Sequence, residues 1–214
     1  MEKYKIELLK RSYKKNLKTF VRHLGQMLKD KFFGPTFLIF HIHQQELTSE
    51  NIAVIDGLNI QTYYNWEQID ENLRNTIENE YKQEYWGKPE WFDLGWQLCI
   101  GNIDNYPVAL SWTRIGSQCN DFVMPLTEKS AILWQTVILP SARGQGIFSV
   151  ILYRVSKQLF ERGIESIYGL CREYNYPSKK STMKIGFKII GFLKIKKKLG
   201  KSAYYPNYKL FNLG

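Results

Sequence analysis

The stretch VILPSARGQGIF, residues 137–148, holds the residues best suited to chemistry: Arg143, Gly144, Gln145 and Gly146, set between two apolar runs. The run before them reads as a strand and the run after them as a helix, which puts the glycines at a helix start. The first backbone N–H groups of a helix lack internal acceptors, and the helix dipole adds partial positive charge there. Glycines without Cβ atoms let an anion approach that backbone closely, and successive N–H groups can ring it. Arg143 adds a charge-assisted donor. These residues offer capture of a phosphate or pyrophosphate. A tight strand-to-helix turn with no ligand fits the same four residues.

Two familiar phosphate loops are excluded. A P-loop needs Gly-Lys-Ser/Thr at its second glycine, and here Ile147 and Phe148 follow. A dinucleotide fingerprint needs a third small residue where this chain has Ser149. A second block, NYPSKKSTMKIGF, occupies residues 175–187. Together the two blocks resemble the motifs of the GNAT (GCN5-related N-acetyltransferase) superfamily. Arg143 and Gly146 match its acyl-CoA motif, approached through Val137, Leu139 and Pro140. Asn175, Lys184, Gly186 and Phe187 fall in register with its later motif. Phe148 replaces a small residue of the pattern, Ser178 stands in an alanine place, and Thr182 stands where the family carries a tyrosine. The resemblance covers residues 95–211, and residues 1–95 match only in general plan.

The resemblance implies acetyl-CoA as co-substrate, no metal, and direct attack of a primary amine on the thioester in a ternary complex. Pantetheine would lie in a gap between the strands at 131–139 and 165–171. A strand amide among Val137, Ile138 and Leu139 would polarise the thioester carbonyl. The backbone of Gly144, Gln145, Gly146, Ile147, Phe148 and Ser149, with Arg143, would hold the pyrophosphate. Asn175, Ser178 and Lys184 complete the implied cofactor contacts. With Thr182 in the tyrosine place, Tyr174 or Tyr176 is the substitute general acid. Glu173, just past a strand end, is the best-placed base, although an exposed glutamate with no role fits as well. Gln135 and Thr136 lie where some relatives carry a glutamate, and either could position a water. Cys171 reads as a core thiol. His41 and His43 share one strand face, but no third metal ligand suggests itself.

The acceptor is less defined. Trp86, Trp91 and Trp96 sit in one loop and could stack on a sugar. A basic N-terminal helix followed by FLIFHIH is similar to acetyltransferases of bacterial surface-polysaccharide synthesis, which implies an amino sugar on a nucleotide or lipid carrier. A peptide or protein amine, or a catalytically degenerate CoA-binding module, are the alternatives. A nucleic-acid-binding protein using basic ends is a third class, and it leaves the glycine turn unexplained.

The elements that must position these residues follow from periodicity. Leu17, Phe20, Val21, Leu24, Met27 and Leu28 predict a basic amphipathic helix over 15–32. It either packs on its own domain or lies on a membrane surface. Strands are expected at 36–43 and near 52–55, then a helix over 66–85. A hairpin turns at Asp104-Asn105. AILWQTVIL (131–139) reads as a strand buried on both faces. A helix from Ile147 to Gly163, a strand at 165–171, a short helix at 177–184 and strands at 187–196 and 203–211 complete the chain. The element order gives an α/β (α+β) fold, a mixed, mostly antiparallel sheet with a central parallel pair. The resemblance implies that this pair is splayed, with helices on both faces. Residues 1–35 form the added helix, and 36–214 a single domain.

Composition agrees with a packed domain. Of 214 residues, 44% are hydrophobic, enough for a core, and the formal charge of +10 favours anionic partners. Ten Lys/Arg against three acids in residues 1–32 give way to eleven acids against three bases in 44–95. That alternation disfavours a continuous nucleic-acid surface. Three cysteines without a CxxC point to a reducing compartment. The start lacks a signal-peptide core, and no run is long enough to span a bilayer. A cytoplasmic protein is expected, at the inner membrane face if the first helix touches lipid.

Overall fold

The computed structural model describes residues 17, 21, 24–26, 28–30, 34–50, 52–81, 86–119, 122–198 and 201–211. Eight strands form one sheet: β1 (Thr36–His43), β2 (Asn59–Tyr63), β3 (Gln97–Ile103), β4 (Tyr106–Ile115), β5 (Ser130–Ile138), β6 (Ser166–Arg172), β7 (Lys188–Lys198) and β8 (Lys201–Leu210). Their order is β2-β3-β4-β5-β6-β1-β7-β8. The pairing of β5 with β6 is parallel and every other described pairing is antiparallel. This is the mixed sheet with one central parallel pair that the alternation of apolar runs predicts.

Three α-helices are bounded in the described chain: α1 (Glu71–Glu80), α2 (Ile147–Glu161) and α3 (Tyr176–Lys184). Asp70 caps α1, its carboxylate accepting from the amides of Asn72 and Leu73 at 2.9 and 3.3 Å. Gly163, in the left-handed region at φ 87°, follows the end of α2. The two faces of the sheet are told apart by neighbours on β4. Thr113 shares a cavity with Val155 and Leu159 of α2. Trp112, one residue earlier and so on the opposite face, packs against Trp86, Trp91 and Phe92. Helix α2 therefore covers one face, and the 86–94 segment covers the other.

Two sequence expectations change. The strand expected near 52–55 is irregular chain, and the strand lies at Asn59–Tyr63 instead, pairing β3. The helix expected over 66–85 is a short 3-10 turn, Trp66–Gln68, followed by α1; residues 82–85 lie outside the described ones. Of the loop tryptophans, Trp86 is buried and stacks between Trp66 and Trp112, so its ring belongs to the core. Trp91 packs on Trp96 and Trp112, and both Trp91 and Trp96 keep part of their surface exposed.

Much of the helix expected over 15–32 lies outside the described residues. Its described members, 17, 21, 24–26 and 28–30, are helical. Asp30 is buried and pairs with Arg172 at 3.1 Å, and the Arg172 guanidinium also lies 4.4 Å over the Phe37 ring. Those contacts tie the segment to the C-terminal end of β6.

Candidate functional site

The ladder between β5 and β6 runs from Ser130↔Ser166 to Leu133↔Gly169 and stops. Both strands continue, β5 through Ile138 and β6 through Arg172, with Trp134–Ile138 and Leu170–Arg172 unpaired across that edge. A bulge opens the gap. Opposite Ser111 of β4, the register shifts between Leu110↔Val137 and Trp112↔Trp134, so Gln135 and Thr136 face one residue. Gln135 takes φ 48°, a left-handed conformation unusual for a non-glycine residue. Thr136 and Ser111 share a hydroxyl–hydroxyl bond of 2.8 Å, which commits Thr136 to β4.

Past the bulge, amide directions can be assigned. The Leu139 N–H donates to the Val108 carbonyl at 2.9 Å, so its donor is spent on β4. By the alternation of an antiparallel ladder, the N–H and C=O of Ile138 face the gap. Arg143 Nε donates to the Ile138 carbonyl at 2.9 Å. Of the three residues 137–139, Ile138 is thus the one whose amide points where a bound acyl chain would lie.

The quoted turn closes the gap at its far end. Gly144 (φ 89°) and Gly146 (φ 82°) are both left-handed, and Gly146 is the N-cap of α2. A Cβ on Gly144 would meet no atom within 4 Å, while one on Gly146 would lie 3.3 Å from Ala53. The amides of Gly144, Gln145, Gly146, Ile147 and Phe148 make no backbone hydrogen bond within 3.5 Å among the described residues. The Ser149 amide, by contrast, donates to the Gly146 carbonyl at 3.1 Å, so the open donors end at Phe148. Phe148 itself turns against the core, which accommodates a bulky residue in a place where the family pattern is small. Open left-handed glycines and a run of N–H groups without backbone partners at a helix start suit a pyrophosphate. The residues present fit the cofactor that the sequence motif implies.

The remaining candidates cluster at the end of β6. Asn175 caps α3, its side chain accepting from the Ser178 amide at 3.4 Å. Cys171 is buried, and burial pushes its thiol up from the ordinary range against weaker opposing contacts from Ser178 and Lys179. Glu173 is exposed and lies 3.7 Å from the Lys29 ammonium. Tyr174 is half-buried and Tyr176 exposed, both at the start of α3. Lys184 lies in the last turn of α3, roughly 13 Å along the axis from the cap. Thr182 is buried.

The histidine pair of β1 forms a third group, to which the fold adds Tyr168 and Ser166 of β6. His41, buried, has its ring 4.3 Å from that of His43 and 4.7 Å from that of Tyr168, and its Nε2 has no partner. Burial and the adjacent His43 hold its pKa down at about 4. His43 Nδ1 lies 3.2 Å from the Ser166 hydroxyl. These residues belong to the paired end of β6, away from the glycine turn. Among the described residues no cluster of three or more His, Cys, Asp or Glu is placed to hold a metal.

A family model described as the acetyltransferase (GNAT) family matches residues 60–187, more than half of the chain and the whole of the gap and turn. The chain belongs to the GNAT family. No curated protein sequence matches it. Among solved structures it is similar in fold to a GNAT acetyltransferase from Colwellia psychrerythraea, with TM-score 0.51 and 17% identity over 73% of this chain and 53% of that one. A GCN5-related N-acetyltransferase from Sphaerobacter thermophilus gives TM-score 0.51 and 13% identity, covering 88% of this chain and 56% of that one. The GCN5-related glucosamine N-acetyltransferase region of a fungal multi-domain β-N-acetylglucosaminidase gives TM-score 0.50 and 11% identity, covering 81% and 22%. This GNAT chain therefore spans little more than half the length of the first two and about a fifth of the third.

Proposed function

We propose that the chain is an acyl-CoA-dependent N-acetyltransferase acting on a primary amine. The observation that carries this reading is the run of amides without backbone partners from Gly144 to Phe148, placed where β5 leaves the gap. Bound acetyl-CoA would supply the acetyl thioester that an amine attacks. The Gly144–Phe148 amides would hold the pyrophosphate. Arg143, whose Nε is fixed on the Ile138 carbonyl, keeps the turn against the strand. The Ile138 N–H, facing the gap, would donate to the acyl oxygen.

Direct transfer, without an enzyme-bound acetyl group, is supported by the state of Cys171. Burial raises that thiol, so it is protonated at neutral pH and a poor nucleophile. The acceptor amine must lose a proton as it attacks. Glu173, at the mouth of the gap, is our candidate to take it, and Tyr174 or Tyr176 our candidate to protonate the departing thiolate. Asn175 and Ser178 are assigned to hold the start of α3 against the cofactor, and Lys184 to a more distant charge contact.

Amino sugars are the first acceptors we would test, because a fungal neighbour of the same fold is described as a glucosamine N-acetyltransferase region. The test has two stages. Calorimetric titration with acetyl-CoA should give micromolar binding. Release of free CoA thiol should then rise on adding an amino sugar and stay at background with its N-acetylated form. Binding without turnover on any amine would support the degenerate module instead. Absence of binding would overturn the transferase reading.

A further inference from the structure

The helical segment before β1 is held to the domain by polar residues. Asp30 pairs with Arg172 at 3.1 Å and accepts from Gln26 at 3.1 Å, and Lys29 reaches Glu173 at 3.7 Å. The described apolar residues of the same segment are exposed. Leu17 is 66% exposed, Val21 57%, Leu24 37% and Leu28 49%. Spacings of four, three and four residues put these side chains on one stripe of a helix. A surface helix ordinarily turns that stripe to its own core. Here, among the described residues, Asp30 and Lys29 make the polar contacts with the domain, and the stripe is left outward.

We propose that this stripe is a docking surface for an anionic lipid bilayer. Charge selects lipid over a second copy of the chain. Residues 1–32 contain ten Lys/Arg and three acids, so two such segments laid together would bring like charge against like. The sequence also sets Lys14, Lys18 and Arg22 along one flank of the stripe, the pattern of a helix whose leucines enter the acyl boundary while its cations meet headgroup phosphates. The contact is peripheral, since no helix among the described residues is long and apolar enough to cross a membrane. The docked helix would stand beside Glu173, which brings the mouth of the β5–β6 gap near the lipid surface. The inference does not depend on acetyl transfer.

The test is co-sedimentation of the full chain with vesicles of phosphatidylglycerol and phosphatidylcholine, against vesicles of phosphatidylcholine alone. Binding to the anionic vesicles should be at least about tenfold stronger and should weaken as salt is raised. The double variant Leu17→Glu, Val21→Glu should lose that binding while its circular dichroism and its titration with acetyl-CoA match the parent. No preference for anionic vesicles would overturn the proposal. So would anionic binding that the double variant retains, which would assign it to the basic ends alone. A dimer seen by analytical ultracentrifugation and dissolved by the same two substitutions would assign the stripe to a second copy instead.

Discussion

The two ends of the β5–β6 pair are built from opposite rules. At the Ser130–Ser166 end the strands are hydrogen-bonded, and Ala131, Ile132 and Ile167 are buried, as is the facing Ile42 of β1. At the Val137–Arg172 end the same strands have no ladder between them, and the chain beyond β5 leaves five successive amides without backbone acceptors. Gly144, Gln145 and Gly146 are exposed, so their amides face solvent at the start of α2, where the helix dipole favours an anion. The paired end carries stability. The open end offers donors that a ligand can use.

That contrast can be broken from either side. Ile167→Ala at the closed end removes a side chain with no exposed surface and should cost about 2–5 kcal/mol of stability. Chemical denaturation should show this loss, while the protein that remains folded titrates with acetyl-CoA as the parent does. A matching loss of affinity would mean that the two ends are not independent.

The next largest effect concerns pH and His41. In the folded chain its pKa lies at about 4, against an ordinary value of 6.5. Between those values an unfolded chain binds a proton that the folded one refuses. Stability is therefore full above about pH 6.5 and falls as the pH drops toward 4, by about 2 kcal/mol at pH 5. His41→Phe should flatten this dependence in thermal melts at pH 7 and pH 5. If the slope persists unchanged, the acid sensitivity belongs to other groups.

How much of this was legible in sequence depends on whether a feature is local. The hairpin turn was, because Asp104 and Asn105 are both left-handed in the structure (φ 50° and 62°) and their residue types favour that conformation. Strand β5 and helix α2 were, from a continuous apolar run and a helical period. Strand β2 was misplaced because NIQTY is polar and half-exposed, whereas IAVI offers the apolar run that the chain then leaves irregular. The insertion of β1 between β6 and β7 is a matter of topology, and no local pattern encodes it. The bulge at Gln135 was hidden because glutamine gives no sign of a positive φ. The motif located the glycine turn, but it could not tell that the amides of Leu139 and Ser149 are already spent. The burial of Trp86 was not legible, because aromatic residues in a loop read alike whether they face solvent or pack on Trp112.

At the open end, Gly144→Asn tests the cradle with little cost to the fold. Asparagine tolerates the left-handed backbone better than other side chains, and there is free space at this Cβ. The new side chain would occupy the volume assigned to the pyrophosphate. Affinity for acetyl-CoA should fall about tenfold, equivalent to about 1.4 kcal/mol, with the melting temperature nearly unchanged. Unaltered affinity would remove this glycine from the site.

The smallest expected effect is the most discriminating for mechanism. Cys171 lies on β6 beside the gap, where a nucleophilic cysteine would be well placed to accept an acetyl group before passing it on. Its surroundings argue the other way: the thiol is buried and raised, and it lies 3.5 Å from the Arg172 carbonyl, a contact in which the thiol donates. A thiol that donates keeps its proton, and the thiolate is the nucleophile. Cys171→Ser preserves the donor and should leave turnover within about twofold, with initial-rate patterns requiring both substrates to be bound together. A covalent acetyl-enzyme would instead give ping-pong kinetics and a large loss of rate in the serine variant. Retained turnover would leave the amine to attack the thioester directly, as the open amides at the other side of the gap lead us to expect.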